Sequence, residues 1–151
     1  MKQEKKAFTL IELLVVIAII GLLSTLSILA LNQARARARD TKRISDVKQI
    51  QTALELVYNA DGDYPETGEV VTGEAIADGG GNVYLAAVPA PPTPVDGASC
   101  PDSQPAYTYA KTGAGQDGDA YYTIQYCLGA NVNNVEGDQL QTASPAGIKL
   151  P

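Results

Sequence analysis

The chain has 151 residues, with 11 Lys plus Arg against 17 Asp plus Glu and a formal net charge of −6. That length leaves room for one modest domain, and the lack of any histidine removes the commonest general base and much of zinc chemistry. Charge is unevenly placed. Residues 35–49 hold Arg35, Arg37, Arg39, Lys42, Arg43 and Lys48 against Asp40 and Asp46, whereas beyond residue 50 the only bases are Lys111 and Lys149. So acidic a C-terminal portion argues against phosphate-backbone binding, which Lys and Arg dominate, and no specific nucleic-acid partner is expected.

In chain order, a short basic leader, MKQEKKA, precedes an apolar segment at residues 8–31 that carries one acid, Glu12. Residues 13–31 hold no charge, and at about 1.5 Å per helical residue this run nearly covers the roughly 30 Å hydrocarbon core of a bilayer. Its polar residues Ser24, Thr25 and Ser27 are tolerated there because their hydroxyls can bond back to helix carbonyls. Glu12 is the anomaly. An acid at membrane depth costs about 2.5–3.5 kcal/mol and needs a named cation. Helical spacing aligns Glu12 with Phe8 or Thr9 rather than with Lys5 or Lys6. A new amine at Phe8, created by cleavage, would lie close to Glu12 of the same chain or of a neighbour.

MKQEKKA followed by FTLIELLVVIAIIGLLS resembles the N-terminus of the type IV pilin superfamily, which includes the pseudopilins of type II secretion. The resemblance implies that a membrane-embedded prepilin peptidase cuts between Ala7 and Phe8 and methylates the Phe8 amine, and that Glu12 serves subunit docking. It also implies copies of the chain packed in a helical filament on an inner-membrane assembly platform. Two departures stand out: Ala7 occupies the place where the family usually has Gly, and no proline precedes Pro65 where the family commonly has one within the helix. Lys and Arg are more numerous after the span than before it, which by the positive-inside rule alone would keep the head in the cytoplasm. The resemblance reverses that orientation: leader inside, precursor in the cytoplasmic membrane, assembled filament periplasmic or extracellular. Losing the leader, with three lysines and one glutamate, would bring the formal charge to −8.

The helix is expected to continue from residue 32 to about residue 60, roughly 80 Å in all. Ile44, Val47, Ile50, Leu54, Val57 and Tyr58 form an apolar stripe that calls for a covering sheet, with Arg43, Gln49, Thr52 and Glu55 elsewhere. The basic stretch at residues 35–48 reads as a solvated or subunit-facing surface with Asp46 as local partner, or as a partner for a neighbour's acidic head. Asp61-Gly62 followed by Pro65 is the stop signal. Residues 62–105 are a Gly-, Pro- and Asp-rich connection with a short strand at residues 83–85, and Gly79-Gly80-Gly81 is a turn rather than a phosphate loop, since no Lys-Ser or Lys-Thr follows.

Residues 106–110 and 120–128 predict a β-hairpin around a loop at 112–119. Tyr122, Ile124, Tyr126 and Leu128 share the face toward the helix, and Tyr121, Thr123, Gln125 and Cys127 share the other. The tyrosines read as core packing rather than a conducting or sugar-binding ladder. Two cysteines in a small exported domain point to a Cys100–Cys127 disulfide, with two free buried thiols as the alternative. Closing that loop would contribute roughly 3.5 kcal/mol. Asp117 and Asp119 are calcium candidates, although two acids fall short of the six to eight oxygens calcium takes, so no cofactor is expected. The tail, residues 129–151, is polar, with an edge strand expected at residues 148–150.

The expected fold class is α+β: a long N-terminal helix, membrane-spanning in one half and amphipathic in the other, packed against a small antiparallel sheet head with one disulfide. Residues 1–7 form the leader, 8–33 the transmembrane or filament-core helix, and 34–151 the head with the amphipathic half. The expected function is a structural filament subunit and not an enzyme. A type II secretion pseudopilin is the alternative, and a single-span anchored binding domain is the second.

Overall fold

Strong helix formers and the absence of proline through residue 64 carry one helix, α1, over Leu10–Asp61. The computed structural model describes residues 8–94, 107–113, 121–132 and 135–148. The chain divides into two units, Met1–Arg35 and Ala36–Pro151.

In the first unit every described side chain is exposed, from Phe8 onward. Here α1 is long and apolar enough to cross a membrane, with a mean hydropathy of 2.8 over its most apolar 18 residues. The hydroxyls of Ser24, Thr25 and Ser27 donate to the carbonyls of Ile20, Leu22 and Leu23 at 2.7–2.8 Å. Each of these three hydroxyls is thereby satisfied by its own helix, as a lipid environment requires.

In the second unit the expected stripe is buried: Ile44, Val47, Ile50, Leu54 and Val57, joined by Ala53. Tyr58 packs against its edge. The helix stops where expected. Gly62 takes φ +76, a left-handed value that costs glycine nothing, and its N–H donates to Tyr58 O at 2.8 Å.

Four antiparallel strands cover the stripe in the order β3-β4-β5-β6: β3 at Thr108–Thr112, β4 at Tyr121–Leu128, β5 at Gln139–Ser144 and β6 at Gly147–Ile148. The hairpin partners run from Thr108↔Gln125 to Thr112↔Tyr121, so the first strand sits about two residues later than expected. Tyr122, Ile124, Tyr126 and Leu128 are all within 1 % of full burial, which places the predicted face of β4 in the core. A separate ribbon pairs β1, Ile76–Ala77, with β2, Val83–Leu85, through the glycine turn.

The tail departs from expectation. Its strand β5 pairs with β4 along five positions, Ile124↔Ala143 to Leu128↔Gln139, so β4 is interior to the sheet. The fold is α+β, a long apolar helix with small antiparallel sheets.

Candidate functional site

The helix N-terminus is built by a Thr-x-x-Glu pattern. Leu13 N donates to Thr9 O at 3.3 Å, making Thr9 the N-cap residue. Thr9 N and Oγ1 both donate to Glu12 Oε2, at 2.8 and 2.6 Å, and Glu12 N returns a bond to Thr9 Oγ1 at 3.3 Å. This reciprocal arrangement is a capping box, with its carboxylate at the positive end of the helix dipole. Both donors fall on Oε2, so among the described residues Oε1 stays open to a donor from outside the chain. Phe8, the residue before this cap, is 80 % exposed. Ala7, the other half of the predicted cleavage site, lies outside the described residues.

Most of the basic stretch of α1 is the solvated surface that its composition suggests, with Arg35, Arg37, Lys42 and Lys48 exposed, but Arg43 and the two acids are not part of it. Asp40, Arg43 and Asp46 are 0, 2 and 4 % exposed. Arg43 is ion-paired with Asp40 and donates to the carbonyls of Pro92 and Pro94 at 2.6 and 2.7 Å. Asp40 also accepts from Gly129 N at 3.2 Å and Ala130 N at 2.8 Å. Asp46 accepts from Lys42 Nζ and from the Tyr107 hydroxyl, each at 2.9 Å. Burial, with the Asp46 carboxylate beside it, pushes the Tyr107 phenol far above its ordinary value. Asp40, Arg43 and Val47 follow one another at spacings of three and four, so the buried face of the helix continues through charged residues. The cluster clamps two connections to α1, and its hydrogen bonds offset the desolvation.

A cleft of about 560 Å³ opens where α1 ends, between Val57, Tyr64 and Ile76, with a rim of Asp61, Asp63, Glu66, Glu69, Glu74 and Asp78. Lys111 spans two of these acids, 2.8 Å from Asp63 and 2.7 Å from Glu66. Its hydrogen bond holds the Asp63 carboxyl below the usual range, while Asp63 and Glu66 raise the Lys111 ammonium. Tyr64 stacks on Tyr58 at 4.7 Å and meets Tyr122 edge-on at 4.8 Å. Burial first, and the adjacent Glu55 second, push the Tyr64 phenol up to about 12. Tyr109 and Tyr122 sit within the hydrophobic core, so these rings act in packing.

Residues 2–28 match the prokaryotic N-terminal methylation motif. The motif thus covers the leader, the capping box and most of the uncharged run. The chain is 38 % identical over 94 residues to a type IV major fimbrial protein FimA of Dichelobacter nodosus, covering 61 % of this chain and 57 % of that one. It is 43 % identical over 53 residues to a fimbrial protein of Pseudomonas aeruginosa, 35 % of this chain and 34 % of the other. A type II secretion system core protein G of Aeromonas hydrophila is 33 % identical over 66 residues, 44 % of this chain and 46 % of its own. The chain spans about half the length of the first curated relatives it matches. No solved structure matches it.

Beyond the motif, Cys127 is 5 % exposed on the face of β4 opposite the core, with Sγ 3.6 Å from the Gln139 carbonyl oxygen. Cys100, Asp117 and Asp119 lie outside the described residues. Sequence reasoning gave Thr9 and Asp40 no role and set Arg43 off the buried stripe, whereas the structure buries Arg43 on it at 2 % exposure. For Thr9 the signal was the spacing to Glu12. For the ion pair it was helical phase, since position on the buried face outweighed residue type.

Proposed function

We propose that this chain is a structural subunit of a type IV pilus or pilus-like filament, with no catalytic role and no bound cofactor. Residues 1–7 are removed by a prepilin peptidase acting between Ala7 and Phe8, and the freed Phe8 nitrogen is methylated. Residues 8–33 hold the precursor in the cytoplasmic membrane, and an assembly platform there moves them into the filament core among copies of the same helix. Residues 34–151 form the head, outside the membrane. Apolar surface then passes from lipid to protein without facing water.

One observation carries the reading. The wholly exposed, apolar first part of α1 holds a single carboxylate, which is satisfied on one oxygen only among the described residues. In an anchor alone, that acid would return only the capping of its own helix end against the cost of a carboxylate at membrane depth. In a bundle of copies, Oε1 of Glu12 meets the Phe8 amine of a neighbour, and only the correct axial register avoids an unpaired buried charge. A second reading, a pseudopilin of type II secretion, is favoured by the similarity to core protein G and shares every step but the task of the filament.

A Cys100–Cys127 disulfide is part of the proposal. Its support is the burial of Cys127 on a strand face whose other members, Tyr121, Thr123 and Gln125, are exposed or half-buried. Intact-mass measurement of protein extracted from its host membranes tests both points. The expected species begins at a methylated Phe8 and is lighter by the two thiol hydrogens. A mature chain that still begins at Met1 would exclude the processing pathway.

A further inference from the structure

The second unit carries two opposite charges that cannot meet within one molecule. Arg37, on the helix face turned to solvent, is exposed, and among the described residues its guanidinium has no partner. The acidic cleft lies at the other end of the same stretch of α1, where Val57 and Asp61 line it. Twenty residues separate Arg37 from Val57 along α1, roughly 30 Å at 1.5 Å per residue. That is more than three Debye lengths at physiological ionic strength, about 8 Å each. Within one copy neither charge relieves the other.

The cleft is short of positive charge. Its rim sets six carboxylates against Lys111, which is already shared between Asp63 and Glu66. Glu69 accepts only the Glu66 backbone N–H, and no cation faces Glu69 or Glu74 among the described residues. A guanidinium suits such a rim better than an ammonium, since its planar fork bonds one carboxylate in bidentate fashion and keeps donors for another.

We propose that the solvent-facing side of α1 around Arg37 docks, in a second copy of this chain displaced by roughly 30 Å along the helix axis, into the acidic cleft beside Glu69 and Glu74. The proposal rests on the filament reading, because parallel copies staggered along their helices bring the start of one amphipathic half level with the end of another. It adds an electrostatic register in the heads to the one that Glu12 sets in the helical core.

The test uses the full-length chain expressed with its assembly machinery and measures sheared filament relative to total subunit. Arg37→Glu, and separately Glu69→Lys with Glu74→Lys, are each expected to lower filament yield about tenfold or more. A chain carrying all three changes restores opposite charges across the contact and is expected to recover to within about threefold of the parent. Lys48→Glu makes the same charge change on an exposed residue about 16 Å farther along α1, and is expected to alter yield by less than about twofold. The docking is overturned if the exchanged chain assembles no better than the one-sided chains, or if Lys48→Glu does equal harm. A second arm needs no filament: the amine introduced by Arg37→Lys, treated with a zero-length carbodiimide in isolated membranes, should join residue 37 to Glu69 or Glu74 of another copy. That cross-link without filaments overturns the filament reading and upholds the docking. Filaments without the cross-link overturn the docking alone, and the lack of both overturns both.

Discussion

Asp40 and Arg43 hold the second unit together at the cost of two charges removed from water. Two proline carbonyls and two backbone N–H groups add to their hydrogen bonding. Asp40→Ala would take from the buried Arg43 the carboxylate with which it is ion-paired, and a loss of about 3–5 kcal/mol is expected. Against a typical domain stability of roughly 5–15 kcal/mol that approaches unfolding. The double change Asp40→Leu with Arg43→Met removes both charges and should recover much of the loss, as read by urea unfolding under near-UV circular dichroism. The phenols add a pH dependence. Tyr64 and Tyr126 are both pushed up to about 12, in each case chiefly by burial, against about 10 in an unfolded chain. Below about pH 10 both states keep these protons, and the contribution is complete. Between about 10 and 12 only the unfolded chain releases them, so stability falls as pH rises. The urea midpoint should drop across that window, and Tyr64→Phe should make the drop shallower.

At the scale of elements, the helix and the hairpin were legible because their apolar residues recur at the periods of three to four and of two. Strand β5 was not, and Gln139–Ser144 shows why. Its Leu140 points outward, 40 % exposed, whereas Gln141 and Ala143 point inward at 4 and 0 %. Apolar alternation therefore gives the wrong face. Gln141 is accommodated because its amide donates to the Glu136 carbonyl at 2.7 Å, and Ala143 because the larger Ile124, its partner on β4, fills the space. The core at this point needs small volume more than hydrophobicity. Ala143→Leu should accordingly destabilise the protein by about 1–3 kcal/mol through overpacking, although it makes the strand look more β-like. Leu140→Ser, which makes it look less so, should stay within about 0.5 kcal/mol. Comparing the two urea midpoints decides between volume and polarity.

At the scale of the whole molecule, the first 31 residues disclosed most of the candidate function, because a membrane leaves few ways to write a spanning segment and an acid inside it is conspicuous. What they did not disclose is that Glu12 has a second task. It closes the capping box of its own helix by accepting from Thr9 N and Oγ1, so Glu12→Ala removes that half of the box along with the charge, and a fall in filament yield after that change would have two explanations. Losing the cap alone costs about 0.5–2 kcal/mol of helix stability. Glu12→Gln separates the two, since glutamine serves at the same position of a capping box but offers a neighbour's amine no charge. If charge pairing sets the register, Glu12→Gln should depress filament yield about as far as Glu12→Ala. Membrane insertion should persist in both, since a neutral side chain costs less to bury than a carboxylate. Glu12→Asp should fall between parent and Gln, keeping the charge with a reach shorter by one methylene. Filament counts by electron microscopy, normalised to membrane-held subunit, give the comparison. A Glu12→Gln chain that assembles as well as the parent would assign Glu12 to the helix end alone and remove charge pairing from the assembly mechanism.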